Sequence, residues 1–286
     1  MKIAVVGMGA MGKWFASFAK KNLGEVIVVS RDIGKARRIA KALGVRAETR
    51  ERAAAEADMV FVATPIPVTP GVIKLLAKHV KKGALLADMA SVKSEVVDTM
   101  RKLDAGAELV SIHPLFGPGA NTIRGKDILV VPVKPGPKYK NLKRTLAKLG
   151  ARVTELDAEE HDKLMATVQC MTHFLLLVYL SALMKMKVLG KAQKIRTPLS
   201  ATLMNTAKAL LAGQSKLYGE IQAHNPHAKV VRRNLLEACR SLDSALSAGD
   251  DKAVERIFKG SVDAVEEKAL REAYKKLYEE FEGGTS

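Results

Sequence analysis

The chain has 286 residues, 48% of them hydrophobic and 27% charged, a composition that excludes a disordered chain. Its formal charge of +17 raises nucleic-acid binding, but Lys and Arg are spread along the whole length with no long basic run and no interleaved aromatics. The excess therefore reads as a solvated basic surface whose field attracts anionic cofactor and substrate, with no nucleic-acid partner.

In chain order, the first 155 residues alternate short β-like runs with helical stretches. Strands are predicted at Lys2–Val6, Val26–Ser30, Met59–Ala63, Ala84–Asp88, Leu109–Ile112, Ile128–Val133 and Val153–Leu156. Most are near-continuous Val, Ile, Leu and Ala, as strands buried on both faces of a parallel sheet require. Lys35–Leu43, Gly71–Val80 and Leu142–Leu149 carry helical spacing between them. The pattern predicts an N-terminal α/β Rossmann-like doubly wound sheet over residues 1–156.

Beyond Leu156 strand signals stop. Asp157, with Glu160 three residues on, predicts a capped helix running to about Lys187. Further helices are predicted at Leu199–Ala223, Ala228–Ser247 and Asp250–Glu282, broken at Asn225-Pro226 and Gly249, with a frayed end at Gly283–Ser286. Residues 157–286 thus read as an all-α substrate and dimerisation domain. Its stretch His173–Met184 is apolar nearly all round and needs burial on every side, which a homodimer through this half would supply.

Cys170 and Cys239 fit neither a metal spacing nor a disulfide framework, as in a reducing compartment. The N-terminal segment has glycines where a signal peptide is apolar, and the run Phe174–Met184 is too short to span a bilayer. A cytoplasmic protein with no membrane association is expected. Scarce Asn and Gln beside plentiful Lys, Arg and Glu is a heat-adapted bias.

Gly7-Met8-Gly9-Ala10-Met11-Gly12 follows the first strand and opens a helix, the context in which this pattern binds a dinucleotide. Gly7 permits the turn, Gly9 lets the backbone approach the pyrophosphate, and Gly12 lets helix and sheet pack closely. Ala10 and Met11 lie at the helix N-terminus that faces the phosphates. The competing reading is a glycine turn without a ligand. At the end of the second strand, Ser30 and Arg31 suit a 2′-phosphate and hence NADP, while Asp32, one register away, would restore NAD. Arg31 as a plain surface charge is the other reading. Thr64 and Pro65, with Ile66-Pro67, either line the nucleotide crevice or form a structural loop.

Two further strand ends carry polar clusters, Met89-Ala90-Ser91-Val92-Lys93 and His113-Pro114-Leu115-Phe116-Gly117-Pro118. Of six histidines only His113 falls at such a strand end. Hydride abstraction from an alcohol needs a base, and an imidazole suits that task. Ser91 would hold the substrate hydroxyl or orient the imidazole. The alternative for His113 is a capping or loop-packing residue.

The glycine loop, Asp88–Lys93 and Ser111–Pro118 together resemble prephenate dehydrogenase. His161-Asp162 through Met171–Phe174, and Gln222–Pro226, extend the resemblance over most of the chain, toward shorter archaeal-type members without a fused mutase. The resemblance implies oxidative decarboxylation of prephenate, a dicarboxylate, to 4-hydroxyphenylpyruvate in tyrosine biosynthesis. His113 would accept the ring-hydroxyl proton, with Ser91 in its hydrogen-bond relay. Lys93 joins the substrate-binding set, and His173 matches a histidine near the substrate carboxylates, or else is a core residue. One departure is that Asn205–Lys216 offers Lys208 and Lys216 where many members place an arginine; Arg196 could serve instead. Lysine lacks the bidentate geometry of a guanidinium, so arogenate stays open as the substrate. Other readings are a β-hydroxyacid dehydrogenase or imine reductase, which use a lysine not evident here, and a non-catalytic NADP sensor.

Overall fold

Eight strands form one sheet: β1 (Lys2–Val6), β2 (Glu25–Val29), β3 (Arg46–Ala47), β4 (Met59–Val62), β5 (Leu85–Asp88), β6 (Glu108–Pro114), β7 (Asp127–Lys134) and β8 (Arg152–Glu155). They come from a computed structural model that describes residues 1–283. Their order is β3-β2-β1-β4-β5-β6-β7-β8, so chain direction across the sheet reverses between β1 and β4, the switch point where ligands of such sheets bind. The intervening helices are α1 (Ala10–Asn22), α2 (Ile33–Leu43), α3 (Arg50–Glu56), α4 (Thr69–Ala77), α5 (Ser94–Arg101) and α6 (Pro137–Lys148), and α7 (Ala158–Met165) follows the last strand. One face of the sheet buries Ile3, Val5, Val28 and Phe61, and the other Ala4, Val6, Val60 and Leu86. That two-sided burial is why these strands read as continuous apolar runs.

The last two strands depart from the all-parallel expectation, since β8 pairs parallel with a reversed β7. β7 runs antiparallel to β6, with Ser111 opposite Val131 and His113 opposite Leu129. The connection, residues 115–126, is rich in Gly and Pro and holds no helix. Without a crossover helix the chain turns back instead of returning to the opposite end of the sheet. The short β3 and α3 carry too few apolar residues to have been legible.

The chain divides into two units, Met1–Met165 with Gly219–Pro226, and Ala166–Tyr218 with the chain from His227 onward. This differs from the 156/157 division read from the sequence. Ala158 joins a core face of the sheet, and Asn225 Nδ2 donates to the Asp162 carbonyl at 2.8 Å, so α7 and residues 219–226 belong to the first unit. Asp157 does cap α7: its Oδ1 accepts the Glu160 N–H at 2.8 Å.

The second unit begins with a π-helical turn, Ala166–Met171, followed by α8 (Thr172–Lys185), α9 (Leu189–Ala192) and α10 (Pro198–Leu211), and it ends with α12 (Ala228–Ser247), α13 (Lys252–Val262) and α14 (Glu267–Gly283). α11 (Ser215–His224) is divided, its residues from Gly219 on belonging to the first unit. The single helix expected over Leu199–Ala223 is broken near Gly213, where a Cβ would come within 2.3 Å of the Tyr218 hydroxyl. The break between α13 and α14 falls on Asp263–Glu266, which contains no helix breaker. Of the expected frayed end, Gly283 closes α14, and Gly284–Ser286 lies outside the described residues. By length and composition alone the longer helical run Ala158–Lys185, which contains the short apolar stretch Phe174–Met184, could cross a membrane, a property that core helices share. Its first turns are nevertheless built into the first unit, with His161 and Asp162 fully buried.

Candidate functional site

The turn after β1 has the geometry its glycines predict. Gly7 has φ +105°, and a Cβ there would lie 2.3 Å from the Ala63 carbonyl oxygen, so only glycine fits. A Cβ on Gly12 would fall 1.8 Å from the Gly7 oxygen, which presses α1 directly onto the turn. At Gly9 a Cβ would meet nothing within 4 Å, leaving the space that a pyrophosphate needs against the backbone. Gly9 is also the N-cap of α1, with no capping side chain and no acidic residue in the first turn. The N–H groups around Ala10 and Met11 and the positive helix end therefore face that space. These residues fit a dinucleotide.

At the end of β2, Ser30 is half-buried and Arg31 exposed. Asp32 is engaged locally: its Oδ1 accepts the Lys35 N–H at 3.0 Å and caps α2. That backbone hydrogen bond, with Lys35 and Arg38 nearby, holds its carboxyl below the ordinary carboxylate range. Thr64 turns its hydroxyl to Thr69 Oγ1 at 2.8 Å, and its methyl lies 3.1 Å from where a Gly7 Cβ would be. Pro65 is exposed beside it.

Past the switch point, β5 and β6 bring a buried polar cluster to the carboxyl edge. His113, 2% exposed, places Nδ1 2.9 Å from His161 Nε2. His161 Nδ1 is in turn 2.8 Å from Asp162 Oδ1. Asp162 Oδ1 also accepts the Lys93 N–H at 2.9 Å, while Oδ2 accepts the Ser94 N–H at 2.9 Å and the Ser94 hydroxyl. Burial, with Lys93 and His161 adding to it, pushes His113 well below the usual imidazole value of 6.5. Burial likewise lowers His161, although Asp162 works against it. His113 is therefore neutral at pH 7, the form that accepts a proton.

Lys93 departs from the substrate-binding expectation. It is fully buried, and its ammonium donates to the Ala90 carbonyl at 2.7 Å, the Ile112 carbonyl at 2.9 Å and Asp88 Oδ1 at 3.4 Å. Three donors and three acceptors leave no N–H for a substrate. Burial lowers its pKa, with Asp88 opposing that shift. Lys93 instead ties the turn after β5 to the carbonyl immediately before His113. Ser91 is half-buried at that turn, and no hydrogen bond joins it to His113 among the described residues. In the second unit, His173 packs edge-on against Tyr218 with ring centroids 4.7 Å apart, and its buried Nδ1 has no partner. Arg196 is exposed before α10, its guanidinium 5.8 Å from the Phe281 ring centre.

Residues 15–155 match the family model for the nucleotide-binding domain of prephenate dehydrogenase. A Streptomyces pristinaespiralis protein described as 4-amino-4-deoxyprephenate dehydrogenase is 30% identical over 263 residues, covering 90% of this chain and 88% of that one. The chain belongs to the prephenate dehydrogenase family. A Methanocaldococcus jannaschii protein described as "Probable arogenate/prephenate dehydrogenase" is 31% identical over 284 residues, 96% of this chain. The chain spans 63% of that relative's length. The prephenate dehydrogenase of Aquifex aeolicus shares the fold, with a TM-score of 0.73 at 20% identity over 92% of this chain and 98% of its own. That enzyme has also been solved with hydroxyphenyl propionate and NAD+.

Members of this family are NAD(P)-dependent oxidoreductases. Within the family frame, sequence reasoning left His161, Asp162 and Ser94 without roles. The adjacent His161-Asp162 pair formed part of the resemblance, but nothing local shows that it meets a histidine 48 residues earlier.

Proposed function

We propose that this protein oxidises and decarboxylates prephenate to 4-hydroxyphenylpyruvate, a step of tyrosine biosynthesis, with NADP as hydride acceptor. The observation that carries the reading is a buried neutral imidazole, His113, near the carboxyl end of β6 in the same sheet whose β1 ends in the dinucleotide turn. Gly7, Gly9 and Gly12 would hold the pyrophosphate, with Thr64 and Pro65 bordering it. When bound, the nicotinamide supplies the site that takes the hydride. His113 takes the proton from the ring hydroxyl, and carbon dioxide leaves as the ring becomes aromatic. Because aromatisation makes the step irreversible, the residues need only orient the substrate and remove a proton. Ser91 is proposed to contact the substrate hydroxyl, and His173, with its unpartnered Nδ1, and Arg196 to meet its carboxylates.

The preference for NADP rests on Asp32 being committed to its helix cap, which leaves Ser30 and Arg31 for a 2′-phosphate. Arg31→Ala is expected to weaken NADP binding ~10-fold or more, the size of a lost hydrogen bond to a charged group, with NAD affinity nearly unchanged. Equal losses in a fluorescence titration of both cofactors would remove Arg31 from that role. The deciding assay follows absorbance at 340 nm with prephenate and arogenate, each offered with NAD and NADP. Reduction with prephenate supports the reading; activity with arogenate alone changes the substrate; cofactor binding without turnover favours a sensor.

We also propose a homodimer through the helical unit, in the cytoplasm. α8 buries Leu176 and Leu180 within its own unit but leaves Leu175, Leu177 and Val178 at 40–45% exposure. Sedimentation equilibrium should return twice the 30.9 kDa chain mass; a single chain mass at micromolar concentration would sink the dimer.

A further inference from the structure

We propose that His161 and Asp162 are positioning residues that fix which nitrogen of His113 receives the substrate proton, a role resting on His113 as the base. Asp162 is surrounded by donors: Lys93 N–H at 2.9 Å, Ser94 N–H at 2.9 Å, the Ser94 hydroxyl and His161 Nδ1 at 2.8 Å. Burial works to raise its carboxyl pKa, but the hydrogen bonds from His161, Ser94 and Lys93 outweigh it and keep the group ionised. An ionised carboxylate can only accept, so the proton of His161 sits on Nδ1. A neutral imidazole has one N–H, so His161 Nε2 is an acceptor. His113 Nδ1, 2.9 Å from that atom, must then be the donor, which places the His113 lone pair on Nε2.

The proton balance closes on His113. The substrate O–H bond breaks and an N–H bond forms at His113 Nε2, while the electron pair of the breaking C–H bond would pass as hydride to a bound nicotinamide. When the carboxylate C–C bond then breaks, its electron pair enters the ring and the ring oxygen takes the proton back from His113 to give the phenol. Between those transfers His113 is a cation whose Nδ1–H already points at His161, and Asp162 stabilises the charge through that ring. The arrangement is anchored by groups outside the reacting centre. Lys93 lends its backbone N–H to Asp162 and its ammonium to the Ile112 carbonyl, and Asn225 holds the Asp162 carbonyl at 2.8 Å. One set of contacts thus locates both ends of the chain of rings.

The test is a long-range ¹H–¹⁵N imidazole spectrum of the full-length protein saturated with NADP, with His113 and His161 assigned by single substitutions. Both rings are expected as Nδ1–H, bare-Nε2 tautomers; a His113 ring protonated on Nε2 overturns the proposal. This readout needs no turnover, so it decides the relay even if prephenate proves not to be the substrate. In kinetics, Asp162→Asn puts an amide N–H where the carboxylate accepted, and kcat should fall ~100-fold or more with KM and NADP affinity little changed. If that variant does not fold, Ser94→Ala removes one hydroxyl bond while keeping both backbone donors, and kcat should fall about 5-fold. Loss of NADP affinity in parallel with kcat, or a raised KM at unchanged kcat, would make the pair structural only.

Discussion

His113→Asn is expected to lower kcat by ~100-fold or more while leaving NADP affinity and the melting temperature near those of the parent, because it removes a general base and little else. Asparagine keeps a polar side chain of similar reach that can still donate toward His161 Nε2. It has no basic lone pair, so the substrate hydroxyl loses its proton acceptor. Cofactor affinity is spared because the glycine turn follows β1, separated from β6 by β4 and β5. Retained turnover, measured at saturating prephenate and NADP, would take His113 out of the mechanism. The parent enzyme's pH profile carries the same information. Burial, followed by Lys93 and His161, depresses the folded His113 pKa well below 6.5, so the active neutral form persists as pH falls past that value. The acid limb of kcat/KM attributable to His113 should therefore lie below pH 6.5, and an acid limb above it would contradict the buried neutral ring. Stability should follow the same sign. A histidine with a depressed folded pKa contributes stability that is present above its unfolded value and lost as pH drops toward the folded one, and His161 and His173 add to this.

Lys93→Ala is expected to destabilise the first unit by about 3–5 kcal/mol, the cost of leaving a buried partner charge uncompensated. Lys93 and Asp88 are both fully buried, and Asp88 Oδ2 has no hydrogen-bond partner, so the ammonium is the charge beside that carboxylate. The same substitution frees the Ile112 and Ala90 carbonyls, each of which then lacks its lysine donor. A fall of roughly 6–20 °C in melting temperature would correspond to that loss for a unit of this size. A substrate-binding lysine would behave oppositely, with KM rising and melting unchanged. Replacing the pair together, Lys93→Met with Asp88→Leu, should recover much of the stability, since similar-sized apolar groups often substitute for a buried ion pair. Thermal denaturation of the two variants side by side separates these cases; an unshifted Lys93→Ala melt would mean that the ammonium is not held as described.

Much of the fold was legible because its signals are local. β1 and α12 have the predicted ends, since an unbroken Val–Ile run and a 3.6-residue apolar period each report burial directly. The Gly7 turn was legible for the same reason: its backbone angle and the contacts that exclude a side chain arise within a few residues and one neighbouring strand. The reversed β7 was hidden in the wrong place. Its own residues look like any buried strand, and the information lay in the helix-free connection before it. The first unit ends later than the division read from the sequence, because strand signals stop at Leu156 while Ala158, His161, Asp162 and Met165 of the following helix turn inward.

The sequence by itself determined the alternation of strand and helix, the phosphate-facing turn, and a histidine near the end of a β-strand beside a serine–valine–lysine element. Those features follow from hydrophobic period, glycine sterics and chain direction, which neighbouring residues set among themselves. Only the tertiary structure decided that Lys93 points inward and that His161-Asp162 stands behind His113. A polar side chain reads the same in sequence whether water or a distant partner satisfies it. That choice is made when the sheet closes and desolvation forces each buried donor onto whichever acceptor the fold has brought within reach.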